Sequence, residues 1–238
     1  MNSLQRLRGN AYMEYAPVAA TLLPDGRHYQ AIDEHSWHVV LHTPEGQAVG
    51  CSRYRKIDFD IEQLQSVKSP IAKSPLTSGR FRAAFYEQFE CAKRRGVHYG
   101  EAGAWALSSE VRCSTAAFNI ALMTFALAER LGGGIAATTA TTRHQSSSIL
   151  RRIGGAPIGG FAPYYDPSYD CTIELLQFDI EAVAPRYRAK LDQFRAELAF
   201  TPVVCPVETR YQDRSLHMPA RVPFIPPQIT AVPEVLTV

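Results

Sequence analysis

Residues 101–153 constrain the fold of this chain more than any other segment. A mixed apolar run ends in a loop of mostly small residues, Arg112–Ala117, and the strongest helical pattern of the sequence follows directly. A run of small β-forming residues and a short helical segment closed by Gly154 and Gly155 complete the order strand, loop, helix, strand, helix. Backbone N–H groups and the positive end of the helix dipole converge where a strand passes into a helix, and both favour phosphate. The loop is therefore predicted to bind a phosphate group, without the lysine of a nucleotide-binding loop.

The helix after this loop is predicted over Thr115–Leu131, because one face of that segment is apolar at helical spacing. That face consists of Ala117, Ile120, Ala121, Thr124, Leu127, Ala128 and Leu131. Helical spacing also recurs over 79–95, where three phenylalanines stand four residues apart and are expected to be core. The basic residues Lys93–Arg95 precede Gly96 there, which is typical of a helix C-terminus.

Further β-like runs predict the rest of the sheet. Trp37–Leu41 and Ala48–Tyr54 are joined by a short turn, which predicts a hairpin. Residues 56–77 are polar and are predicted to be a connection with about one helical turn. The other predicted elements are the strands His98–Leu107, Ile135–Thr141 and Cys171–Phe178 and helices over 3–20, 145–153 and 184–198. Residues 201–238 carry seven prolines and little periodicity, which predicts a tail that either lies across the surface or a neighbouring subunit, or is disordered.

Composition argues against several classes of protein. The net charge of +2 gives no support for nucleic-acid binding, and no apolar run approaches the roughly 18 residues that span a bilayer. The N-terminus lacks the apolar core of a secretion signal, and the five cysteines include no C-x-x-C pair. His35, His38 and His42 lead from a loop into a strand, where same-face side chains are too far apart for one metal ion. We expect a reduced cytoplasmic protein with no metal site and no transmembrane segment.

Several patterns in the N-terminal half resemble motifs of one enzyme group. Arg8 and Tyr12 are similar to an Arg-x-x-x-aromatic pair, and Asp33 is similar to the second acid of an Asp-x-x-Asp pair. Gly50–Tyr54 resembles a Gly-x-x-Arg-Leu strand, and Glu101–Trp105 resembles a Glu-x-x-Arg-Phe strand. These motifs occur in this order in acyl-homoserine-lactone synthases and in their relatives, the N-acyl amino acid synthases, which have the GNAT acyltransferase fold. The resemblance covers roughly residues 4–179.

Two departures from these motifs alter the expected product. Gln30 stands where the lactone synthases carry the first acid, and Ala104 stands where they carry the arginine. Both family positions serve the lactone-forming site, so the resemblance favours N-acylation of an ordinary amino acid. Arg112–Ala117 resembles the GNAT phosphate loop, with Thr115 in place of a glycine. A Cβ at that position would crowd a pyrophosphate, which favours an acyl carrier protein, with its single phosphate, over coenzyme A.

The resemblance implies an α/β fold with a GNAT-like mixed, mostly antiparallel sheet flanked by helices. A single acyltransferase domain is expected over residues 1–200, followed by the proline-rich tail at 201–238, through which subunits could associate. The implied reaction moves a long-chain fatty acyl group from acyl carrier protein to the amine of an amino acid. The donor is an acyl-phosphopantetheine on acyl carrier protein or coenzyme A, and no permanently bound cofactor is expected.

The resemblance also implies the roles of individual residues. Glu101 is the candidate general base, because it lies where GNAT folds separate two strands to admit the carrier arm. The donor site is expected to comprise Trp105, Ala106, Leu107, Arg112, Cys113, Ser114, Thr115, Ala116 and Ala117. The acceptor site is expected to comprise Arg8, Tyr12, Asp33, Arg53 and Arg143, in which an arginine would hold the substrate carboxylate. Leu150 takes the place of the tyrosine that many GNAT enzymes use as general acid, and small residues over 136–140 leave room for an acyl chain.

Other interpretations of the same residues stay open. Glu101 could be a surface residue, Ser114 or Thr115 could merely cap a helix, and each arginine could belong to a structural ion pair. The function could be that of a lactone-type synthase using S-adenosylmethionine, or of a GNAT enzyme that acylates another amine from acyl coenzyme A. It could also be that of a non-catalytic module that binds acyl carriers or lipids.

Overall fold

The computed structural model describes residues 1–13, 18 and 20–203. The described residues include the helices α1 (Asn2–Met13), α2 (Pro70–Lys73), α3 (Ser78–Arg95), α4 (Ala116–Arg130), α5 (Ser146–Ile153) and α6 (Pro185–Phe200). They also include the strands β1 (Trp37–His42), β2 (Ala48–Ile57), β3 (His98–Leu107), β4 (Gly133–Thr141), β5 (Ala156–Pro157), β6 (Tyr164–Asp166) and β7 (Cys171–Asp179). Two short 3₁₀ helices, Ile61–Gln63 and Gln65–Lys68, lie between β2 and α2.

The strands of the described part form one sheet in the order β1-β2-β3-β4-β7-β5, with β6 also paired to β7. Strands β3 and β4 are parallel, because α4 crosses over between them, and the other pairs are antiparallel. This mixed, mostly antiparallel α/β sheet confirms the predicted fold class.

Helices cover both faces of the sheet. Neighbouring residues of β2 show which helix lies on which face, since successive side chains of a strand point in opposite directions. Cys51 packs in a cluster with α1, whereas the hydroxyl of Ser52 contacts that of Thr124 in α4. We call these two faces the α1 face and the α4 face. Helix α3 shares the α1 face, and α6 shares the α4 face.

The core beneath the α1 face rests on the aromatic stripe predicted from the sequence. Phe81, Phe85 and Phe89 are almost fully buried and pack with Tyr99 of β3. Burial of such a ring stabilises the fold by about 1.5–3 kcal/mol. Helix α3 ends at Gly96, whose φ of 64° is the left-handed conformation that glycine adopts at little cost.

Most predicted elements are present with bounds that differ by a few residues. The hairpin of β1 and β2 is confirmed, and the helix predicted over Thr115–Leu131 is α4. The connection over 56–77 contains more helix than predicted, because two 3₁₀ helices and α2 bury Ile61, Leu64 and Ile71 beneath the sheet. The tail predicted at 201–238 lies outside the described residues beyond position 203. Every helix in the described ranges is too short or too polar to cross a bilayer.

Candidate active site

Strands β3 and β4 separate partway along their length. Their parallel pairing begins at His98 and Gly133 and ends at Glu101 and Ala137, although β3 continues to Leu107. We call the space between the unpaired halves of β3 and β4 the fork. The pairing of β3 with β2 is also irregular here, and Ala104 has a φ of 50°. A non-glycine residue rarely adopts this left-handed conformation, which marks a bulge that bends β3 away from β4.

A cavity of about 440 Å³ fills the fork. Its volume lies within the range of about 300–1,000 Å³ that is typical of small-molecule sites. Tyr12 of α1 lines one end, together with Gly103, Ala104 and Tyr169. Residues of α4, on the other face of the sheet, line the opposite end. The cavity therefore crosses the sheet at the fork and opens a route between its two faces.

The end on the α4 face is mostly apolar. Small residues of α4 recur along it from Ala117 to Ala128, a distance of about 16 Å at 1.5 Å per residue. Other apolar residues of this part of the wall include Phe125, Ala136, Ala140, Ile149, Leu150 and Phe178. The small residues predicted to leave room in β4 do so through Ala136, Thr138, Thr139 and Ala140. This shape suits an extended hydrocarbon chain.

The predicted phosphate loop lies at the edge of the cavity. Arg112, Cys113 and Ser114 line it, and Cys113 has a left-handed φ of 64°. The Ser114 hydroxyl donates to the Val111 carbonyl at 2.7 Å and accepts the N–H of Ala116 at 3.1 Å. Ser114 therefore caps the first turn of α4, which is the helix-capping alternative that the sequence left open for this residue. The loop still faces the cavity.

The other predicted donor-site residues divide between the wall and its surroundings. Trp105, Ala106, Leu107 and Ala117 line the cavity, whereas Thr115 and Ala116 do not. The Arg112 guanidinium donates through Nε to the carbonyl of Leu107 at 3.4 Å, which ties the loop to the end of β3. The loop and the unpaired half of β3 thus form one continuous surface.

Glu101, the candidate base, lies at the foot of the fork and does not line the cavity. Its Oε1 accepts the backbone N–H groups of Gln65 and Ser66 at 2.8 and 3.2 Å. Its Oε2 accepts the N–H of Gln65 at 2.9 Å and the guanidinium of Arg55 at 3.2 Å. A carboxylate offers about four lone-pair sites, so these contacts use its acceptor capacity. Proton abstraction by Glu101 stays a prediction, and the contacts favour a structural role.

Asp33 joins Arg8 and Arg53 in a buried cluster on the α1 face. Arg8 donates to both carboxylate oxygens of Asp33, through Nη1 at 2.9 Å and through Nη2, and to the carbonyl of His28 at 3.0 Å. Arg53 Nη1 donates to Asp33 at 2.8 Å and to the Gln30 side chain at 2.6 Å. Burial alone would raise the pKa of Asp33, but Arg8 and Arg53 outweigh it and lower the pKa to about 2.

The five predicted acceptor residues do not form one site. Tyr12 lines the cavity, whereas Arg8, Asp33 and Arg53 form the cluster behind it. Arg143 is also outside the wall, where its guanidinium donates to the carbonyl of Asp170. The structure therefore brings together three of the five residues as a cluster and places the fourth on the cavity surface.

Tyr12 packs edge-on against His28, with ring centroids 4.8 Å apart. Burial raises the pKa of the Tyr12 phenol well above its ordinary value, so the phenol stays protonated. Burial, followed by the charge of Arg8, lowers the pKa of His28 to about 4, so its ring is neutral near pH 7. The end of the cavity on the α1 face thus presents the neutral phenol of Tyr12, and the neutral ring of His28 packs against Tyr12 from outside the wall.

Among the described residues of the wall there is no carboxylate and no imidazole. Burial raises the pKa of Cys51, which lies behind the bulge, to about 12, so that thiol is not a nucleophile. Sequence reasoning missed Ser52 and Tyr169 as wall residues, because Ser52 is an unspecified position of the Gly50–Tyr54 motif and Tyr169 belongs to no motif. Within the described ranges no group of three or more His, Cys, Asp or Glu could hold a metal ion.

No protein-family model and no curated protein matches the sequence. The structure nevertheless resembles that of the CoA-dependent acyl-homoserine lactone synthase BjaI with SAM and isopentyl-CoA, at a TM-score of 0.54 and 13% identity, over 85% of this chain and 83% of that chain. BjaI with MTA gives a TM-score of 0.52 at 15% identity over the same shares of the two chains. FeeM, an N-acyl amino acid synthase from uncultured soil microbes, gives 0.48 at 13% identity, over 81% of this chain and 89% of that chain.

At these identities the likeness concerns the fold. The chain has the GNAT-type fold of the acyl-homoserine lactone synthases, as the sequence motifs predicted. The solved structures named above are those of an acyl-homoserine lactone synthase and of an N-acyl amino acid synthase.

Proposed function

We propose that this protein is an N-acyltransferase that moves a fatty acyl group from a phosphopantetheine thioester to the amine of an amino acid. The observation that carries this proposal is the cavity that crosses the sheet at the fork. A transfer reaction needs two substrates to meet at one atom. A passage with an apolar arm on one face of the sheet and a polar end on the other would let an acyl chain and an amino acid meet at the fork.

In this proposal the acyl chain lies along α4 and the pantetheine arm lies in the fork. Beyond Glu101 the edge of β3 that faces β4 has no partner strand among the described residues. Amide groups of pantetheine are able to pair with such an edge, as an added strand would. The donor phosphate would lie against Arg112–Ser114 at the start of α4, where the helix dipole favours an anion.

Either carrier of pantetheine fits these contacts. The sequence favoured acyl carrier protein because the Cβ of Thr115 would crowd a pyrophosphate, but Thr115 does not line the cavity. BjaI is described as CoA-dependent. We keep acyl carrier protein as the proposed donor and include acyl coenzyme A as a separate arm of the test.

Arg53 is the best placed of the three arginines to hold the carboxylate of the acceptor. Its Nη1 is bound to Asp33 and Gln30. Its Nη2 lies beneath Gly103, 3.9 Å from the point that a Cβ on Gly103 would occupy, and Gly103 lines the cavity. No side chain of Gly103 therefore stands between this guanidinium and the cavity. Arg8 is fully buried and holds Asp33 through both Nη atoms.

Bond formation requires a neutral amine, a polarised carbonyl and a leaving thiol. Backbone N–H groups in the unpaired half of β3 would stabilise the developing oxyanion. The described wall holds no carboxylate or imidazole, so the amine would lose its proton to water in the cavity rather than to a side chain of the wall. Leu150 lies in the wall and cannot protonate the thiolate, so water would also complete that step.

The test is mass spectrometry of reactions that contain the purified protein and a mixture of amino acids. Decanoyl-acyl carrier protein and decanoyl-coenzyme A are supplied as donors in separate arms. An N-decanoyl amino acid in either arm is expected, and the more productive arm identifies the donor. Absence of any acylated amine in both arms would refute the proposal.

A matched pair of variants links the product to the cavity. Ala121 lines the apolar arm, whereas Ala83 is exposed on α3. Ala121→Phe is expected to abolish product formation because its ring would fill the arm, and Ala83→Phe is expected to leave it unchanged. Both variants are checked by thermal unfolding so that a misfolded protein is recognised.

A lactone-type synthase is the second candidate, because BjaI was solved with SAM. Adding S-adenosylmethionine to the same reactions tests it. Release of methylthioadenosine together with an acylated lactone would favour this candidate over an N-acyl amino acid synthase.

A further inference from the structure

Two hydroxyl groups in the wall of the apolar arm contact each other. Ser52 of β2 and Thr124 of α4 are only 6% and 8% exposed, and both line the cavity. Their oxygens are 2.5 Å apart, so the two hydroxyls form a hydrogen bond between the sheet and the helix. A buried hydroxyl is costly unless its hydrogen-bonding groups are used.

The direction of this hydrogen bond follows from the second contact of Thr124. Its Oγ1 lies 2.7 Å from the carbonyl oxygen of Ile120, which can only accept a hydrogen bond. Thr124 has one hydroxyl proton, so it donates that proton to Ile120 and accepts from Ser52. Ser52 therefore donates its only hydroxyl proton to Thr124. Within the described part of the chain, no donor approaches Ser52 Oγ, so this oxygen faces the cavity as an acceptor.

Ser52 also lies next to the position where the thioester would be held. Its strand neighbours Cys51 and Arg53 pair with Ala106 and Gly103, so Ser52 lies opposite the bulge of β3. Adjacent strands are about 4.8 Å apart. Ser52 also lines the cavity, so a chain whose thioester carbonyl is held by the bulge would pass Ser52 near its first carbons where it leaves the fork along the α4 face.

We propose that Ser52 selects acyl donors that carry a hydroxyl group on the β-carbon. Such a hydroxyl would donate its proton to Ser52 Oγ, an acceptor that the alanines and other apolar side chains along α4 do not supply. A β-keto group would find no proton there, because Ser52 has already given its own to Thr124. This proposal rests on the proposed function, since it assumes that an acyl chain occupies the arm along α4.

The test is isothermal titration calorimetry with three probes, the decanoyl, β-hydroxydecanoyl and β-ketodecanoyl thioesters, presented on acyl carrier protein and, in a separate arm, on coenzyme A. The unmodified protein is expected to bind the hydroxylated probe about fivefold to tenfold more tightly than the plain one, as one net hydrogen bond provides. Ser52→Ala is expected to remove this preference. Thr124→Val frees the Ser52 proton and is expected to improve binding of the β-keto probe relative to the plain one.

The control is Ser36→Ala, which removes another buried serine hydroxyl, bonded to the carbonyl of Ile32 and outside the cavity wall. It is expected to keep the preference for the hydroxylated probe. Equal affinity for the plain and hydroxylated probes, or a preference that survives in Ser52→Ala, would overturn the proposal. Because each variant is judged by the ratio of affinities, a loss of stability that weakens all three probes equally does not imitate the effect.

Binding and transfer are read separately, so the two proposals fail in different ways. A binding preference without any acylated amine would refute the proposed function and keep the assignment of Ser52. Product formation without a binding preference would support the proposed function and refute the assignment of Ser52.

Discussion

The carboxylate of Glu101 holds the backbone N–H of Gln65 with both of its oxygens, at 2.8 and 2.9 Å. This contact fastens β3 to the 3₁₀ helix Gln65–Lys68 at the last residue that still pairs with β4. From Ala102 to Leu107, β3 no longer pairs with β4 and lines the cavity. Glu101 therefore fixes the place where the fork begins.

Glu101→Gln separates this structural role from that of a general base. The amide cannot accept hydrogen bonds at both ends or pair with Arg55, so we expect a lower melting temperature. We also expect the dependence of kcat on pH to keep its shape. A variant of normal stability whose pH dependence has disappeared would instead establish Glu101 as the base.

Asp33→Asn is expected to lower the free energy of unfolding by about 3–5 kcal/mol, because it leaves two buried guanidinium groups without their charge partner. Arg8 and Arg53 both depend on this carboxylate. Urea unfolding measures the change. The control is Asp25→Asn, which breaks the exposed ion pair with Arg27 and is expected to change little. Equal stability of the two variants would contradict the importance of the cluster.

His28 is expected to make the protein less stable in acid. Its pKa falls from 6.5 to about 4 on folding, chiefly because the ring is buried. As pH decreases through this window the unfolded chain takes up a proton that the folded protein refuses, so stability falls by up to about 1.4 kcal/mol per pH unit. His28→Gln should flatten the curve of unfolding free energy between pH 4 and 6.5. His42→Gln, at an exposed histidine, should leave it unchanged.

Ala128→Leu is expected to shorten the acyl chain of the product. Ala128 lines the cavity beside Phe125 and Phe178, so a larger side chain would fill the far end of the arm. Each methylene that is excluded from the arm forfeits about 0.8 kcal/mol of binding. Mass spectrometry of products from a mixture of acyl donors measures the distribution of lengths, and Ala83→Leu on the exposed face of α3 serves as the control. An unchanged distribution would place the acyl chain elsewhere.

The secondary structure was largely predictable because local patterns specify it. The phenylalanine stripe of α3 and the small apolar face of α4 each recur at helical spacing, and both helices are present near the predicted bounds. The short strand Ala156–Pro157 was missed, since two residues carry no periodicity. For the two 3₁₀ helices between β2 and α2, the sequence predicted only about one helical turn, because their burial depends on contacts with the sheet.

The site was harder to predict because side-chain partners are distant in sequence. The motif that suggested a base at Glu101 could not show that Gln65, Ser66 and Arg55 surround its carboxylate. In the same way, no local pattern pairs Ser52 with Thr124, since they lie in different layers of the fold. The roles of Glu101 and Arg53 stay predictions, now with specific contacts to test.

The passage through the sheet has a consequence for how a product would escape. An N-acyl amino acid bound there would cross the sheet, with its carboxylate beside Tyr12 on one face and the end of its acyl chain beside Ala128 on the other. To dissociate, the product would have to pull its acyl chain back through the fork between β3 and β4. Each additional carbon would lengthen the path over which the chain must move. For the longest substrates, turnover would then be governed by residence time after the amide has formed rather than by the chemistry that forms it.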